Sequence, residues 1–332
     1  MQLLTPTHWT DYELIDTGNR EKLERFGKYI LIRPEPQAVW QKALPESEWE
    51  KMSHARYNRM KGKKSAGDDP ERGTWNLKPK MPDQWAINYR YKEMNLTFRL
   101  GLTAFGHIGV FPEQAVNWDF IYDTIVHSSK FEVQSSKFKV QGDLTHIQHP
   151  ASSIQHPASS IQHPASKILN LFAYTGGSSL AARSAGADVV HVDSVKPVIT
   201  WAKEIMMASG LDNIRWVVED AMSFVRREVK RGNHYDGIIL DPPAYGRGPD
   251  GEKWILEDSI DELIAICKQL LDPEKGFFVL SLYSMGFSAL VAESLVKSRF
   301  GDIPGMETGE FYFSDRAKRK LPLGTFLRFD QI

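Results

Sequence analysis

Cysteine is almost absent from this chain of 332 residues, which contains only Cys267. A single thiol excludes an internal disulfide framework and cysteine-rich zinc modules, and it suits a reducing compartment. The sequence also lacks an apolar run of about 18 residues, the length that a transmembrane helix needs. Its first residues, MQLLTPTHWTDYEL, lack the basic start and apolar core of a secretion signal. We therefore expect a cytoplasmic protein with no membrane partner.

A strong net charge is absent as well, because 41 basic residues oppose 42 acidic ones and leave a formal charge of -1. This balance excludes general attraction to polyanions, so any nucleic-acid contact has to be a local patch. Hydrophobic residues make up 42% of the chain and charged residues 25%, as in ordinary globular proteins. The length suggests about two domains.

Residues 1–105 carry tyrosine, tryptophan and basic residues among short alternating runs. We predict a small α+β domain here, with a strand over 29–32, a helix over 46–60 and paired strands over 85–89 and 96–100. Residues 106–332 form the predicted second domain.

Residues 128–166 are repetitive. Residues 128–134 nearly recur as 135–141, and heptads similar to SIQHPAS follow from 146 to 166. Each heptad contains a proline, which removes a helical hydrogen bond and argues against a coiled coil. Nothing fixes the histidines of this tract in one geometry, so no metal site is predicted. We expect an extended or disordered insertion or linker.

From residue 167 onward, apolar runs alternate with helical segments. The predicted strands cover 168–172, 189–193, 214–219, 236–240, 277–282, 310–314 and 325–329. The predicted helices cover 178–185, a segment capped by Ser194 and ended by Gly210, 221–230 and 256–271. This order predicts an α/β fold, with a mostly parallel sheet between helices and a binding crevice at the carboxyl ends of its strands.

The sequence YTGG at 174–177 follows the first of these strands. Its glycines let the backbone turn and approach a ligand closely, and a helix N-terminus follows. The nicotinamide fingerprint G-x-G-x-x-G is missing, which argues against a dehydrogenase. Asp193 ends the second strand, where a carboxylate can accept both hydrogens of a ribose diol. Asp220 ends the third strand and is either a nucleotide contact or a plain helix N-cap.

The sequence DPP at 241–243 follows the fourth strand. Its prolines give a rigid, donor-poor turn. Their carbonyls and the carboxylate of Asp241 can accept hydrogens from an amine and so orient its lone pair for reaction. Tyr245 can stack a flipped-out base. Glycines at 246, 248 and 251 predict a mobile substrate loop.

Three segments, LNLFAYTGG at 169–177, HVDS at 191–194 and DPP at 241–243, together resemble one family. They are similar to the class I S-adenosylmethionine-dependent ribosomal RNA methyltransferases, in the subgroup of large-subunit cytosine-5 and guanine-N7 enzymes. The resemblance covers about residues 80–332 and extends to GVFPEQ at 109–114. That family has a hairpin there that ends in a Gln-Arg pair and closes over the cofactor; here Gln114 matches, but Ala115 replaces the arginine.

The resemblance implies a Rossmann-like sheet of seven strands whose last strand is reversed. It also implies S-adenosylmethionine as the cofactor and RNA, first of all ribosomal RNA, as a partner. The expected cofactor contacts are Phe111, Gln114, Phe172, Tyr174, Thr175, Gly176, Gly177, Asp193, Ser194, Asp220 and Ala221. The expected catalytic residues are Asp241, Pro242, Pro243 and Tyr245.

Chemistry narrows the choice of the atom that receives the methyl group. Methylation at carbon 5 of a pyrimidine needs a nucleophile, usually a cysteine thiolate. In the cytosine-5 relatives that cysteine follows the fifth strand in a Ser-Cys-Ser setting, where this chain has SLYS at 281–284. Cys267 shares the apolar face of a predicted helix, and a buried helical thiol is usually inert. The sequence therefore favours a nitrogen acceptor.

Two basic segments are candidate RNA contacts, although solvated surface is an equally simple interpretation of each. The residues are Arg56, Arg59, Lys61, Lys63 and Lys64, and Arg316, Lys318, Arg319 and Lys320. Two other functions stay open: a protein or small-molecule methyltransferase, and a non-catalytic, cofactor-binding RNA accessory protein. A homodimer is the assembly considered.

Overall fold

The computed structural model describes residues 1–59, 72–141, 165–283 and 286–331, and over 130–141 it describes the backbone alone. Lys61, Lys63 and Lys64 lie outside these ranges, as does most of the heptad tract. The elements up to residue 141 are β1 Gln2–Leu4, β2 Tyr12–Gly18, β3 Glu21–Phe26, β4 Tyr29–Pro34, α1 Glu46–Met52, β5 Ala55–Arg59, β6 Gly73–Leu77, β7 Gln84–Tyr91, β8 Met94–Gly101 and α2 Ala115–Gln141.

The elements after residue 165 alternate as the sequence predicts. They are β9 Lys167–Leu171, α3 Gly177–Ser184, β10 Asp188–Asp193, α4 Lys196–Ala208, β11 Ile214–Val218, α5 Ala221–Lys230, β12 Gly237–Leu240, β13 Tyr245–Arg247, β14 Lys253–Ile255, α6 Leu256–Leu270, β15 Phe277–Leu282, α7 Ala289–Phe300, β16 Glu307–Ser314 and β17 Lys320–Asp330.

The large sheet has the strand order β1-β16-β17-β15-β12-β9-β10-β11. Five neighbouring strands, β15, β12, β9, β10 and β11, pair in parallel. Strand β17 runs antiparallel to both β15 and β16. The expected sheet of seven strands with a reversed last strand is therefore present. An eighth strand, β1, pairs in parallel with β16.

The central strands are apolar because helices cover both faces of the sheet. Every residue of β12 and β15 is buried. Their side chains divide between two apolar clusters, since Ile239 and Val279 pack on the side of α2 and α3, and Leu240 and Leu280 pack on the side of α5 and α6. Successive side chains of these strands therefore point to opposite faces of the sheet.

The N-terminal region contains a sheet of five strands, β2-β3-β4-β5-β6, and the hairpin β7–β8. The predicted strands over 29–32, 85–89 and 96–100 are confirmed, and the last two pair in antiparallel fashion. The boundary at residue 105 stays a prediction, and β1 lies in the large sheet.

The predicted helix over 46–60 is wrong beyond Met52. Ser53 is extended and ends α1, and Ala55–Arg59 forms β5 between β4 and β6. The buried side chains of Ala55 and Tyr57 alternate with more exposed neighbours, which is the period of a strand.

Three further expectations need correction. The extended insertion predicted from residue 128 is helical as far as Gln141, since α2 contains neither proline nor glycine. The predicted loop around residues 246–251 includes the antiparallel pair β13–β14. Helix α4 begins at Lys196, so its cap residue is Val195 rather than Ser194. The Val195 backbone N–H donates to the carboxylate of Asp193.

Candidate active site

The loop between β9 and α3 has a strained backbone. Phe172 and Tyr174 adopt positive φ angles of 54° and 49°, and Gly176 has a φ of 90°. A residue with a side chain adopts such a conformation at a cost of about 1–3 kcal/mol, which glycine largely avoids. Strain of this kind clusters at functional sites. The loop is therefore the first candidate for ligand binding.

Hydrogen bonds to two neighbouring segments, the end of β10 and the segment around Gly109, hold this loop in place. The Tyr174 backbone N–H donates to Oδ2 of Asp193 over 2.9 Å, and the Ala173 N–H donates to the Val192 carbonyl over 3.1 Å. The Thr175 hydroxyl donates to the Gly109 carbonyl over 2.8 Å. Asp193 thus shapes the glycine loop through its side chain, in addition to any contact with a ligand.

An open cleft lies against this loop. Predicted site residues that line it are Phe111, Gln114, Phe172, Tyr174, Thr175, Gly176, Gly177 and Asp241; further lining residues are Phe98, Val110, Trp118, Asn170, Ala173 and Ser178. The cavity brings the glycine loop and Asp241 together. Predicted residues outside this lining are Asp193, Ser194, Asp220, Ala221, Pro242, Pro243 and Tyr245.

Asp193 ends β10 beside two exposed aliphatic side chains. Both of its carboxylate oxygens accept backbone N–H groups, from Tyr174 and from Val195, each over 2.9 Å. Burial raises the pKa of this carboxyl, and the two N–H groups oppose that rise. Val195 is 46% exposed and Val218, at the end of β11, is 41% exposed. The sequence did not single out these valines, since aliphatic residues at strand ends look like core residues.

Asp220 caps helix α5. Its Oδ1 accepts the Ser223 backbone N–H over 2.8 Å, and the residue is 8% exposed. The capping interpretation is confirmed, while a nucleotide contact by Asp220 or its neighbour Ala221 stays a prediction.

Asp241 follows β12 and is half-buried. Burial, together with the nearby Glu113 carboxyl, raises the pKa of Asp241 to about 8. Within the described ranges, no hydrogen-bond donor contributes to this pKa. The group is therefore a carboxyl that gains and loses a proton near neutral pH, inside the cavity that contains the glycine loop.

The two prolines after Asp241 differ in their surroundings. The Pro243 carbonyl accepts the Trp254 indole N–H over 2.7 Å, so one of its two lone pairs is already bound. Pro242 is buried, and its carbonyl accepts no backbone hydrogen bond from the part of the chain that the structure describes.

The hairpin β13–β14 contacts both the glycine loop and the DPP segment. Trp254 in β14 is buried, and its ring lies 4.7 Å from the ring of Phe172 in the glycine loop. The same indole binds Pro243. Tyr245 in β13 is 54% exposed and is accessible to a large ligand. The sequence analysis did not predict a role for Trp254, because the neighbouring glycines indicated a mobile loop.

The segment before α2 forms a 3-10 turn over Pro112–Gln114 in place of the expected hairpin. Oε1 of Gln114 accepts hydrogen bonds from Asn117 over 3.0 Å and from the hydroxyl of Ser281 over 3.1 Å. Gln114 is thereby fixed between α2 and the end of β15. Ala115 is buried as the first residue of α2.

Two histidines near the site were not predicted to belong to it. The centre of the His107 ring lies 5.4 Å from that of the Phe111 ring, and the nearby cations Arg33 and Lys22 lower the pKa of this exposed histidine. His191 is fully buried beneath the glycine loop and shares a hydrogen bond of 3.0 Å with the hydroxyl of Ser179. Burial lowers the pKa of His191 to about 3, so both rings are neutral at pH 7.

Cys267 is fully buried in α6, as the sequence predicts. Burial raises the pKa of its thiol, which therefore stays protonated at neutral pH.

The predicted RNA contacts differ in their freedom to bind phosphate. Arg56 pairs with Glu21, Glu46 and Glu50. Arg316 pairs with Glu13, and Arg319 pairs with Asp16 and Asp315. The exposed residues among these candidates include Arg59, Lys318 and Lys320, the last of which lies 4.6 Å from the centre of the Tyr312 ring. The role of these residues stays a prediction.

None of the helices in the described ranges is long and apolar enough to cross a membrane. Over the same residues, no three His, Cys, Asp or Glu side chains group as metal ligands.

A solved structure matches the chain over its whole length. The S-adenosylmethionine-dependent methyltransferase of Agrobacterium tumefaciens is 32% identical, and the match covers 100% of this chain and 94% of that one with a TM-score of 0.79. A structure from Streptococcus mutans is 15% identical over 97% of this chain and 76% of its own, with a TM-score of 0.61, and shows the same fold. No family model matches the chain.

Curated relatives match a shorter part. Ribosomal RNA large subunit methyltransferase I of Photobacterium profundum is 32% identical over 109 residues, or 32% of this chain and 25% of the relative. Methyltransferase K/L of Shewanella amazonensis is 34% identical over 141 residues, or 39% of this chain and 19% of the relative. The chain thus spans a quarter or less of these two relatives. The full-length match carries the assignment, and the chain belongs to the class I S-adenosylmethionine-dependent methyltransferases.

Proposed function

We propose that this protein transfers the methyl group of S-adenosylmethionine to a base nitrogen of RNA, with ribosomal RNA as the first candidate. The observation that carries the proposal is the single cavity in which the strained glycine loop meets the half-buried carboxyl of Asp241. One wall suits a nucleoside cofactor, and the other offers a proton acceptor to the group that is methylated.

The cofactor half fits the chemistry of S-adenosylmethionine. Gly176 has the positive φ that the turn requires, and Gly177 leaves room for the Trp118 ring, which lines the same cleft. The Asp193 carboxylate is the candidate acceptor for the ribose hydroxyls. The exposed side chains of Val195 and Val218 offer apolar surface to an adenine ring. When bound, the cofactor supplies an electrophilic methyl group.

The acceptor half depends on Asp241. As a carboxylate it accepts the hydrogen of a base nitrogen and directs the nitrogen lone pair toward the methyl group. The proton that the nitrogen loses on methylation passes to the same carboxylate, and a pKa near 8 suits both accepting and releasing it. The Pro242 carbonyl is a second candidate acceptor for hydrogens of the bound base.

A nitrogen acceptor is preferred over carbon 5 because a pyrimidine carbon needs a thiolate nucleophile. Cys267 is fully buried in α6 and protonated at neutral pH. A nitrogen lone pair reacts without a covalent enzyme intermediate, so Asp241 suffices as the proton acceptor.

RNA is the proposed substrate because the curated relatives are named ribosomal RNA large subunit methyltransferases. Arg59, Lys318 and Lys320 are exposed basic candidates for phosphate contacts, and Tyr245 is a candidate for stacking. The cytoplasm is the proposed location of this activity. A homodimer is proposed as the assembly, and light scattering on the eluting protein distinguishes it from a monomer.

The test uses the purified protein, S-adenosylmethionine with a labelled methyl group, and RNA or protein extracted from cells that lack the gene. We expect label in RNA for the wild-type protein, and a loss of about 100-fold or more for Asp241→Asn, which cannot take up the proton. Label that enters protein alone would overturn the RNA assignment. Undiminished transfer by Asp241→Asn would overturn the role of Asp241.

A further inference from the structure

The carboxyl edge of the large sheet presents a second half-exposed tyrosine, Tyr283, which follows β15. Strands β12 and β15 pair in parallel with Leu240 opposite Leu280, so the residues after these strands leave the sheet side by side. Strand β12 ends just before Asp241, and β15 ends just before Tyr283. The DPP segment and Tyr283 thus follow two adjacent strands at the carboxyl edge of the sheet.

Ser281, two residues before Tyr283, is on the side of the sheet that faces the cavity. Side chains alternate along a strand, and Val279 packs on the α2 side. Two residues further along β15, the Ser281 hydroxyl binds Gln114, which lines the same cavity as Asp241. Tyr283 follows directly after the end of β15.

The N-terminal sheet holds the Tyr283 hydroxyl. That hydroxyl donates to Oε1 of Glu35 over 3.3 Å, just after β4. Glu35 is 1% exposed, and its other carboxylate oxygen lies 3.3 Å from Nζ of Lys22 in β3. A buried, paired carboxylate is a rigid acceptor, so the phenol is anchored at its tip.

The Tyr283 ring is left partly uncovered although its hydroxyl is bound. The residue is 51% exposed, while a Cβ on Gly324 of β17 would lie 3.4 Å from ring atom Cδ2. A ring that is bound at its hydroxyl and partly exposed offers a flat apolar face at the carboxyl edge of the sheet, the edge at which Asp241 also lies.

We infer that Tyr283 is the stacking platform for the planar base that receives the methyl group, with Glu35 of the N-terminal sheet as its positioning residue. This inference rests on the proposed function and extends it, since it assigns to the N-terminal sheet a part of the acceptor site. Stacking on an aromatic ring is tolerant of base identity and contributes substantially to single-stranded RNA binding. Atom-specific recognition then remains with Asp241 and the DPP backbone.

Two variants at Tyr283 carry the experiment. They are Tyr283→Leu and Tyr283→Phe, assayed with labelled S-adenosylmethionine and RNA from cells that lack the gene. We expect Tyr283→Leu to reduce kcat/KM about 10- to 100-fold, mainly through KM, as loss of one stacked base predicts. Tyr283→Phe keeps the ring and should stay within about 5-fold of the wild type.

Glu35→Gln tests the positioning role and should raise KM by a smaller factor than Tyr283→Leu. The Kd for S-adenosylmethionine and the Tm of each Tyr283 variant should match the wild type, which separates a substrate contact from damage to the fold. Equal kcat/KM for Tyr283→Leu and the wild type would overturn the inference, as would a Phe variant as impaired as the Leu variant. A wild-type protein that methylates no RNA would instead refute the proposed function, and this inference with it.

Discussion

At the scale of single residues, two carboxyl groups have different tasks. Asp193 accepts two backbone N–H groups and thereby fixes the glycine loop, while Asp241 has a high pKa and no hydrogen-bond donor among the described residues that lowers it. Under the proposed function, Asp193 organises the loop that holds the cofactor, and Asp241 exchanges a proton with the group that is methylated.

Replacement of Asp193 by alanine should weaken the binding of S-adenosylmethionine. The variant loses the charged acceptor and also frees the Tyr174 N–H that shapes the loop, so we expect a loss of about 1–3 kcal/mol in binding free energy. Isothermal titration calorimetry measures it. Asp212→Ala is the control, because that carboxylate is on the surface with Arg183 as its partner. Equal losses in the two variants would contradict the assignment.

Replacement of Asp241 by asparagine should stabilise the fold at alkaline pH. The pKa of Asp241 is about 8 in the folded protein against an ordinary value of 3.8. Between these values the folded state keeps a proton that the unfolded state has released, so this group lowers stability progressively as pH rises from about 4 to about 8. Asparagine lacks this dependence.

The free energy of unfolding in urea, measured at pH 5 and pH 8, should therefore favour Asp241→Asn increasingly at the higher pH. We expect the advantage to grow by roughly 1–3 kcal/mol, less than the full pKa difference implies because the group is only half-buried. A constant difference between the two proteins across this range would show that Asp241 ionises normally.

At the scale of elements, the regular part of the chain was the easiest to predict. Strands β9 to β12 and β15 and helices α3 to α6 lie within about two residues of the predictions, because the strands are short apolar runs and each helix is followed closely by glycine or proline. Helix α2 and strands β13 and β14 were missed, since the repeats after residue 128 and the glycines after residue 245 indicated irregular structure. Local signals cannot show that Trp254 binds Pro243 and covers Phe172.

The candidate site, too, could be predicted from the sequence only in part. The glycine turn, Asp193 and Asp241 follow from short motifs at strand ends, where a parallel sheet gathers ligand contacts. The bonds from Gln114 to Ser281 and from Tyr283 to Glu35 join residues more than 150 positions apart. Such pairings arise from the packing of the N-terminal sheet and α2 against the large sheet, and no sequence motif encodes them.

The close contact of α3 with α2 depends on a glycine. A Cβ on Gly177 would lie 2.5 Å from Cζ2 of Trp118, a residue that lines the cavity. Gly177→Ala should therefore destabilise the protein by about 1–3 kcal/mol, as overpacking does, although alanine favours a helix. It should also weaken S-adenosylmethionine binding. Thermal unfolding and calorimetry measure these effects, with Gly286→Ala, where a Cβ meets open space, as the control. An unchanged Tm would contradict the packing.

At the scale of the whole molecule, the N-terminal region is joined to the large sheet at several points. Strand β1 pairs with β16, and Tyr283 binds Glu35. Arg319, before β17, binds Asp315 over 2.8 Å and also pairs with Asp16 of β2. Both carboxylates are buried. The N-terminal sheet is thus held against the large sheet by strand pairing, a hydrogen bond and buried ion pairs.

Arg319→Met should destabilise the protein strongly, because it leaves Asp16 and Asp315 buried without their cation. The expected loss is about 3–5 kcal/mol in the free energy of unfolding, measured in urea. Arg316→Met is the matched control, since its partner Glu13 is partly exposed and the loss should be about 1 kcal/mol or less. Similar losses for the two variants would argue against a structural network and favour Arg319 as a free RNA contact.

The most direct test of the central claim is the identity of the methylated nucleoside. RNA from cells that lack the gene is incubated with the purified protein and labelled S-adenosylmethionine, digested to nucleosides and analysed by mass spectrometry. We predict one labelled nucleoside that carries its methyl group on a base nitrogen and is absent when Asp241→Asn replaces the wild type. A label on carbon 5 of a pyrimidine, or no label in any nucleoside, would contradict the account.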